Sequence, residues 1–582
     1  MHYIFSWTNA QSRYLTITAI AENVTSASVD VQLPSWRPGR YELGNFAKNV
    51  RGFRAETPDG RALVSRKITK DCWKVECRGE ETIYFVYEYY AAELNAGSTW
   101  LDETQLYVNP VNCCVYLTNR LEEVCTLELQ IPQNWRVATA LQQPADNVLV
   151  ASDFDRLADS PFIASPTLQH NYFVLEGVEF HLWFQGECRP DWPKIISDTF
   201  IYVNEIMQIF GSCPAEKYHF LYQILPQRFY HGVEHTDSTV IALGPPYRLM
   251  NELYSDFLGV SCHELFHAWN IKAIRPAEML PYNFTRENYS RLGYVCEGVT
   301  TYYGDYLLYR SGVFTEQEYW HTFEERIQKH FDSHGRHFLS VADSSFDTWL
   351  DGYVPGAPHR KTSIYHEGCL LAFVTDIFIR SKTNNKNNLD MVMRRLWVEF
   401  GQQGKGYTET DYRRLVEETA GASFVNLWNT YFYQSADYTD ILNESLEYIG
   451  FQMNRYESHK IHEDKFGFKL VEQGGITRVT EVYYNSPAEV CGLAVGDEIT
   501  GIHTEERGGQ DPIPVRADLN EWMRYFNAET VVLVVNSGGS QKFLTVRADN
   551  EHYYPVYKVS RRKELKDSSK QAFQNWCGLK IG

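Results

Sequence analysis

Residues 14–20, Tyr14-Leu15-Thr16-Ile17-Thr18-Ala19-Ile20, alternate with a period of two, and so do Ser28-Val29-Asp30-Val31-Gln32-Leu33 and Thr126-Leu127-Glu128-Leu129-Gln130-Ile131. That period puts every second side chain on one face of a strand. With Gly, Pro and Asn turn signals between such runs, residues 1–165 are expected to form an all-β domain, a sandwich or an open twisted sheet. From 166 the texture changes. Val178–Phe184 and Tyr218–Leu225 still read as strands, but helical periodicity dominates from about 250 to 440, as in Leu370–Ile379 and Asp411–Glu417. A mixed lobe followed by a helical lobe is expected over 166–445. A second kind of domain is expected over 446–550. The stretch 551–582, with Ser560-Arg561-Arg562-Lys563 and Trp576, reads as a surface tail or an extra helix. The fold class is therefore multidomain α+β.

Candidate chemistry enters with His263-Glu264-Leu265-Phe266-His267. On a helix, positions i and i+4 share a face, so two imidazoles aim at one point. Two such imidazoles make half of a zinc site, and the Glu one residue after the first His stands near enough to take a proton from a zinc-activated water. The alternative is an ordinary helix with both His paired to carboxylates or water. Leu292-Gly293-Tyr294-Val295-Cys296-Glu297-Gly298 opens a second helical run, where Glu297 either caps the helix or supplies a third ligand. Cys262 and Cys296, beside these residues, read as packing.

Further candidates lie on both sides. In Tyr230-His231-Gly232-Val233-Glu234-His235, Gly232 allows close backbone approach to a ligand, and Glu234 is either a solvated loop acid or a grip for an α-ammonium group. In Ser363-Ile364-Tyr365-His366-Glu367-Gly368, a Tyr365 hydroxyl beside the zinc would stabilise an oxyanion, with His366 a weaker substitute. Asn270 or Asp305 would support a ligating His, although helix-end solvation and core packing explain Trp269, Asn270, Lys272 and Arg275 equally well.

The run His263-Glu-Leu-Phe-His-Ala-Trp-Asn-Ile-Lys-Ala-Ile-Arg-Pro276, followed by Glu297-Gly-Val-Thr-Thr-Tyr-Tyr303, resembles the glycyl aminopeptidase family of gluzincin metallopeptidases. The resemblance implies a thermolysin-like catalytic domain over 166–445 with a PDZ domain behind it. It implies one Zn2+ on His263, His267 and Glu297, and Glu264 as general base and then proton donor. Gly232 to His235 resembles the motif with which related aminopeptidases bind the peptide N-terminus. Tyr365 resembles the family's transition-state tyrosine, although Glu367 stands where the family has Lys. A substrate with a small first residue, Gly or Ala, is also implied. Asn485-Ser486-Pro487-Ala488 through Gly492-Leu493 to Gly496-Asp497-Glu498-Ile499 resembles a PDZ domain over 446–550, and Lys465 to Phe468 resembles its carboxylate-binding loop. Such a unit either captures a peptide C-terminus or braces the fold. Pro34-Ser35-Trp36-Arg37-Pro38-Gly39-Arg40-Tyr41 resembles the family's N-terminal domain and is expected to support the fold or rim the substrate.

Composition narrows the partners. The 582 residues carry a formal charge of −19, which argues against nucleic acid and anionic membranes and favours cationic peptide N-termini. The start lacks a basic and apolar leader, and the twelve Cys have no paired spacing. A cytoplasmic location is expected, with a removed signal as the alternative. The expectation is a zinc aminopeptidase acting on peptides. Its rivals are a zinc endopeptidase and a non-catalytic PDZ scaffold holding a structural zinc.

Overall fold

The computed structural model describes the chain apart from residues 354, 355, 505, 506, 509 and 579–582. It divides into two compact units, each discontinuous in sequence. The first comprises Met1–Tyr319, Ala342–Val354 and Leu371–Trp428; the second comprises Trp320–Val341, Pro355–Leu370 and Asn429–Gly582.

The first unit begins with an eight-stranded sheet in which Tyr14–Ala21 lies between His2–Ser6 and Ile83–Tyr90. Its alternation is realised side chain by side chain: Leu15, Ile17, Ala19 and Ala21 are fully buried while their neighbours are not. His2–Ser6 also pairs in parallel with Cys125–Leu129. Two four-stranded sheets complete this β-rich part, with short helices at Pro110–Cys113 and Phe154–Ala158 interrupting the expected all-β pattern.

A five-stranded sheet follows. Its strands in chain order are β1 (Gln169–Leu175), β2 (Val178–Gln185), β3 (Lys217–Ile224), β4 (Phe229–Glu234) and β5 (Ser238–Gly244), arranged β1-β2-β3-β5-β4. The β2–β3 and β3–β5 pairs are parallel, and β4 is an antiparallel edge. Helices α1 (Tyr254–Phe266) and α2 (Thr300–Arg310) pack together, closely enough that a Cβ on Gly304 would stand 3.1 Å from the His263 Cβ. Residues 294–299 form a wider π-helical turn that runs into α2, an irregularity enriched at functional sites.

Helices α3 (Glu316–Asp332) and α4 (Ile364–Thr383) follow later in the chain. Within the second unit, a six-stranded sheet includes Phe468–Gln473, Ile476–Val482, Glu498–Thr504, Thr530–Ser537 and Ser540–Arg547. Phe466, Phe468, Val479, Ile502, Leu519, Met523 and Leu533 form its core. The stretch expected as a tail or helix contains strand Val556–Arg561, paired antiparallel with Phe451–Tyr456, and helix Asp567–Cys577, whose Phe573 and Trp576 are buried. Among the described residues, no helix is long and apolar enough to cross a membrane. The twelve cysteines are free thiols, and only Cys213 and Cys491 are not buried.

Candidate metal centre

His263 lies on the last turn of α1 and His267 immediately past its end, so helical spacing brings their Nε2 atoms within 3.0 Å. The π-helical turn delivers Glu297, whose Oε2 stands 3.3 Å from His267 Nε2 and 3.9 Å from His263 Nε2. Ligand atoms of the three all lie within 4.8 Å of one another. His267 Nδ1 donates to the Asn270 carbonyl at 2.6 Å, which turns Nε2 toward the cluster. The Asn270 side chain donates to Val295 O at 2.9 Å and Thr300 Oγ1 at 3.0 Å, so one residue holds the second His by its backbone and the Glu297 turn by its amide.

Two more acids face the same space. Ligand atoms of Glu234, at the end of β4, lie within 4.8 Å of those of Glu264 and His267. Gly232 is where β4 passes closest to the helix: a Cβ there would overlap the Glu264 carboxylate. The close approach allowed by this glycine is thus to the candidate base itself.

The electrostatics of the cluster are set by burial and by the crowding of acids and imidazoles. Burial pushes the Glu264 carboxyl well above the usual carboxylate range, and Glu234 and Glu297 add to the rise against the opposing pull of His267. For His267, burial alone would lower the value, but Glu297 and the other two acids carry it up to about 10. Glu264 Oε2 is buried without a hydrogen-bond partner. Two imidazoles and a carboxylate whose ligand atoms all lie within 4.8 Å of one another fit a catalytic zinc with one open position.

The N-terminal segment 36–41 takes a larger part than expected. Tyr41 donates to Glu297 Oε1 at 2.9 Å, and Gly39, at φ +86°, lies so close to Glu234 that a Cβ would overlap its carboxylate. The signal was the Pro38-Gly39 turn between two large aromatics, but nothing local tells which distant residue it meets. A second cluster supports β4 from behind. Buried Lys272 donates to Asp159 Oδ1 at 2.7 Å, His235 Nδ1 lies 3.0 Å from the same oxygen, and the Thr236 backbone and hydroxyl donate to Oδ2 at 2.8 and 2.6 Å. Lys272 and Asp159 therefore fix the residue next to Glu234.

Thus the first unit brings together His263, Glu264, His267, Glu297, Glu234 and Gly232. Tyr365 lies in the second unit, on the first turn of α4. Two residues on, both Glu367 carboxylate oxygens lie 2.8 Å from His330 Nδ1, and Tyr438 stacks on that ring at 4.3 Å. Burial alone would raise Glu367, but His330 holds its carboxyl below the usual range. The acid that stands where the family has Lys is therefore buried and paired.

Comparison with known proteins agrees with this chemistry. Residues 2–166 match the Peptidase M61 N-terminal domain, and residues 256–371 match M61 glycyl aminopeptidase. An aminopeptidase N family protein from Idiomarina loihiensis has a similar structure, with a TM-score of 0.90 at 25% identity over 99% of each chain. An M1 zinc metallopeptidase from Deinococcus radiodurans, bound to a Tyr-Ser-Ala substrate, aligns at a TM-score of 0.47 and 13% identity, over 75% of this chain and 94% of its own. No curated protein sequence matches. The protein is a metallopeptidase, which removes the scaffold reading. More particularly, it carries the N-terminal and catalytic domains of the M61 family, the glycyl aminopeptidases.

Proposed function

We propose that the protein is a zinc aminopeptidase that removes the first residue of peptides with a free N-terminus. The observation that carries this reading is the placement of Glu234 beside Glu264 and His267, an extra carboxylate next to the donor cluster where an α-ammonium group would dock. His263, His267 and Glu297 would hold one zinc ion. When bound, the ion would polarise the scissile carbonyl and acidify a water. Glu264 accepts the water's proton and returns it to the leaving amine. Its carboxylate lies against the backbone of Gly232 on β4. Glu234 holds the ammonium and sets the register, so that the first peptide bond is the one attacked. Tyr365 is the oxyanion donor that the family resemblance implies. A small first residue is what the family resemblance implies.

The family resemblance implies a thermolysin-like domain over 166–445 and a PDZ domain over 446–550. A bracing role is favoured for it, because loop N–H groups that would receive a peptide carboxylate are already spent: Lys465 N–H donates to Ile461 O at 2.9 Å and Gly467 N–H to Glu463 O at 3.2 Å. The free, mostly buried thiols suit a reducing compartment such as the cytoplasm.

Metal analysis together with cleavage of one peptide, with free and acetylated N-terminus, tests the proposal. One zinc per chain and at least about a hundredfold preference for the free amine is expected, as for loss of a buried charged contact. Equal rates would make it an endopeptidase.

A further inference from the structure

Arg37 is 4% exposed, and its Nη1 is buried without a hydrogen-bond partner. Its guanidinium rests on the backbone of Gly97, where any Cβ would overlap it. Space has thus been kept for a buried cation that the protein does not fully pair. Burial lowers its pKa, and the charge that most opposes this is Glu234. The segment bearing Arg37 is the one that sets Gly39 against Glu234 and Tyr41 on Glu297, so the guanidinium belongs to the surroundings of the amine anchor.

The neighbouring bases do not duplicate it. Arg40 is committed to Glu42. His231 is pushed down to about 3 by burial and by the charges of Arg37 and Arg40, and is a neutral imidazole at working pH. Arg37 is therefore the incompletely paired positive charge of this trio. A buried, partly unpaired guanidinium is costly, and its presence in a peptidase site marks a place for an anion.

The chemistry of that anion follows from the anchor. In an N-terminal aspartate or glutamate, the ammonium and the side-chain carboxylate spring from the same short stem, so a carboxylate falls among the groups around Glu234 whenever the ammonium sits on it. We propose that Arg37 makes the enzyme selective for peptides with an acidic first residue, Glu234 taking the ammonium and Arg37 the side-chain carboxylate. This rests on the aminopeptidase reading and replaces the small-residue preference implied by resemblance.

The test compares kcat/KM for Asp-, Glu-, Asn-, Gln- and Ala-p-nitroanilides with the zinc-loaded wild type and its Arg37→Met and Arg37→Lys variants. The wild type is expected to favour Asp over Asn and Glu over Gln by about tenfold to a hundredfold, mainly through KM, because the charged contact exists only for the acids. Arg37→Met should bring both ratios toward one, and Arg37→Lys should keep part of the preference. A wild-type acid-to-amide ratio at or below one overturns the proposal, and this arm needs no variant to fold. So does a ratio unchanged in Arg37→Met. Ala-Ala and Ala-Ala amide form the other arm: if Arg37→Met penalises only the free dipeptide, the guanidinium binds a C-terminal carboxylate and the proposal fails. Failure of the aminopeptidase reading is separately visible as equal cleavage of free and acetylated peptides.

Discussion

Two clusters of buried charge lie in the first unit, and they are built in opposite ways. In the Lys272, Asp159, His235 and Thr236 cluster, the carboxylate is met by an ammonium, an imidazole, a hydroxyl and a backbone N–H, so Asp159 is saturated. In the cluster of His263, Glu264, His267, Glu297 and Glu234, acids crowd imidazoles, Glu264 Oε2 is orphaned and the carboxyl of Glu264 is driven up. Saturation marks a joint, which holds residue 159 of the β-rich part to residues 235 and 272. Incompleteness marks a receptor, and only the second cluster has the means for chemistry. Arg37 belongs with the second by the same criterion.

Removing one group from each cluster sharpens that contrast. In the open cluster, Glu264→Gln should lower kcat by about a thousandfold or more while the zinc content stays at the wild-type level, since proton transfer is lost and the three donors remain. An unchanged rate would eliminate Glu264 as the base. In the closed cluster, Asp159→Leu should cost about 3–5 kcal/mol of stability by leaving Lys272 buried and unpaired, and Lys272→Met added to it should recover part of that loss. Denaturant unfolding measures both. A single variant as stable as wild type would show that the joint bears no load.

The closed cluster also predicts a pH dependence. Burial alone would raise Asp159, but Lys272 and His235 outweigh it and hold its carboxyl far below the usual range. Its stabilisation is thus complete above the unfolded value of about 3.9 and is lost below it. Burial depresses His235 in spite of Asp159, so the unfolded chain gains a proton first, below about 6.5. Both effects make stability fall as pH falls, from about 6.5 downward, and Asp159→Asn should flatten the part below about 4 in an acid-unfolding titration. The smallest effect is expected at Tyr41→Phe, which removes the donor to Glu297 and should weaken zinc binding by about tenfold in a chelator competition. An unaltered affinity would leave Tyr41 with a packing role alone.

The sequence made the local parts of this arrangement legible and left the distant ones hidden. Alternation exposed the buried face of Tyr14–Ala21, because a strand's period is written in consecutive residues. The four-residue spacing of His263 and His267 became a 3.0 Å approach for the same reason. Glu297 was reached through its setting as well as its position. Tyr41, by contrast, meets Glu297 across 256 residues, and Asp159 meets Lys272 across 113. No periodicity encodes such pairings, which depend on how separately formed sheets come to rest. Glu367 reads in sequence as a charge reversal beside a catalytic tyrosine, and only the fold supplies His330, 37 residues earlier, as its partner.

The pairing of Phe451–Tyr456 with Val556–Arg561 has a consequence for synthesis. Phe451 sits opposite Arg561 and Tyr456 opposite Val556, so the earlier strand emerges from the ribosome about a hundred residues before its mate. At translation rates of about 5–20 residues per second, it waits roughly 5–20 s with an open edge. Until residue 561 is made, that ribbon is a vacancy which chaperones, or a neighbouring nascent chain, are free to fill.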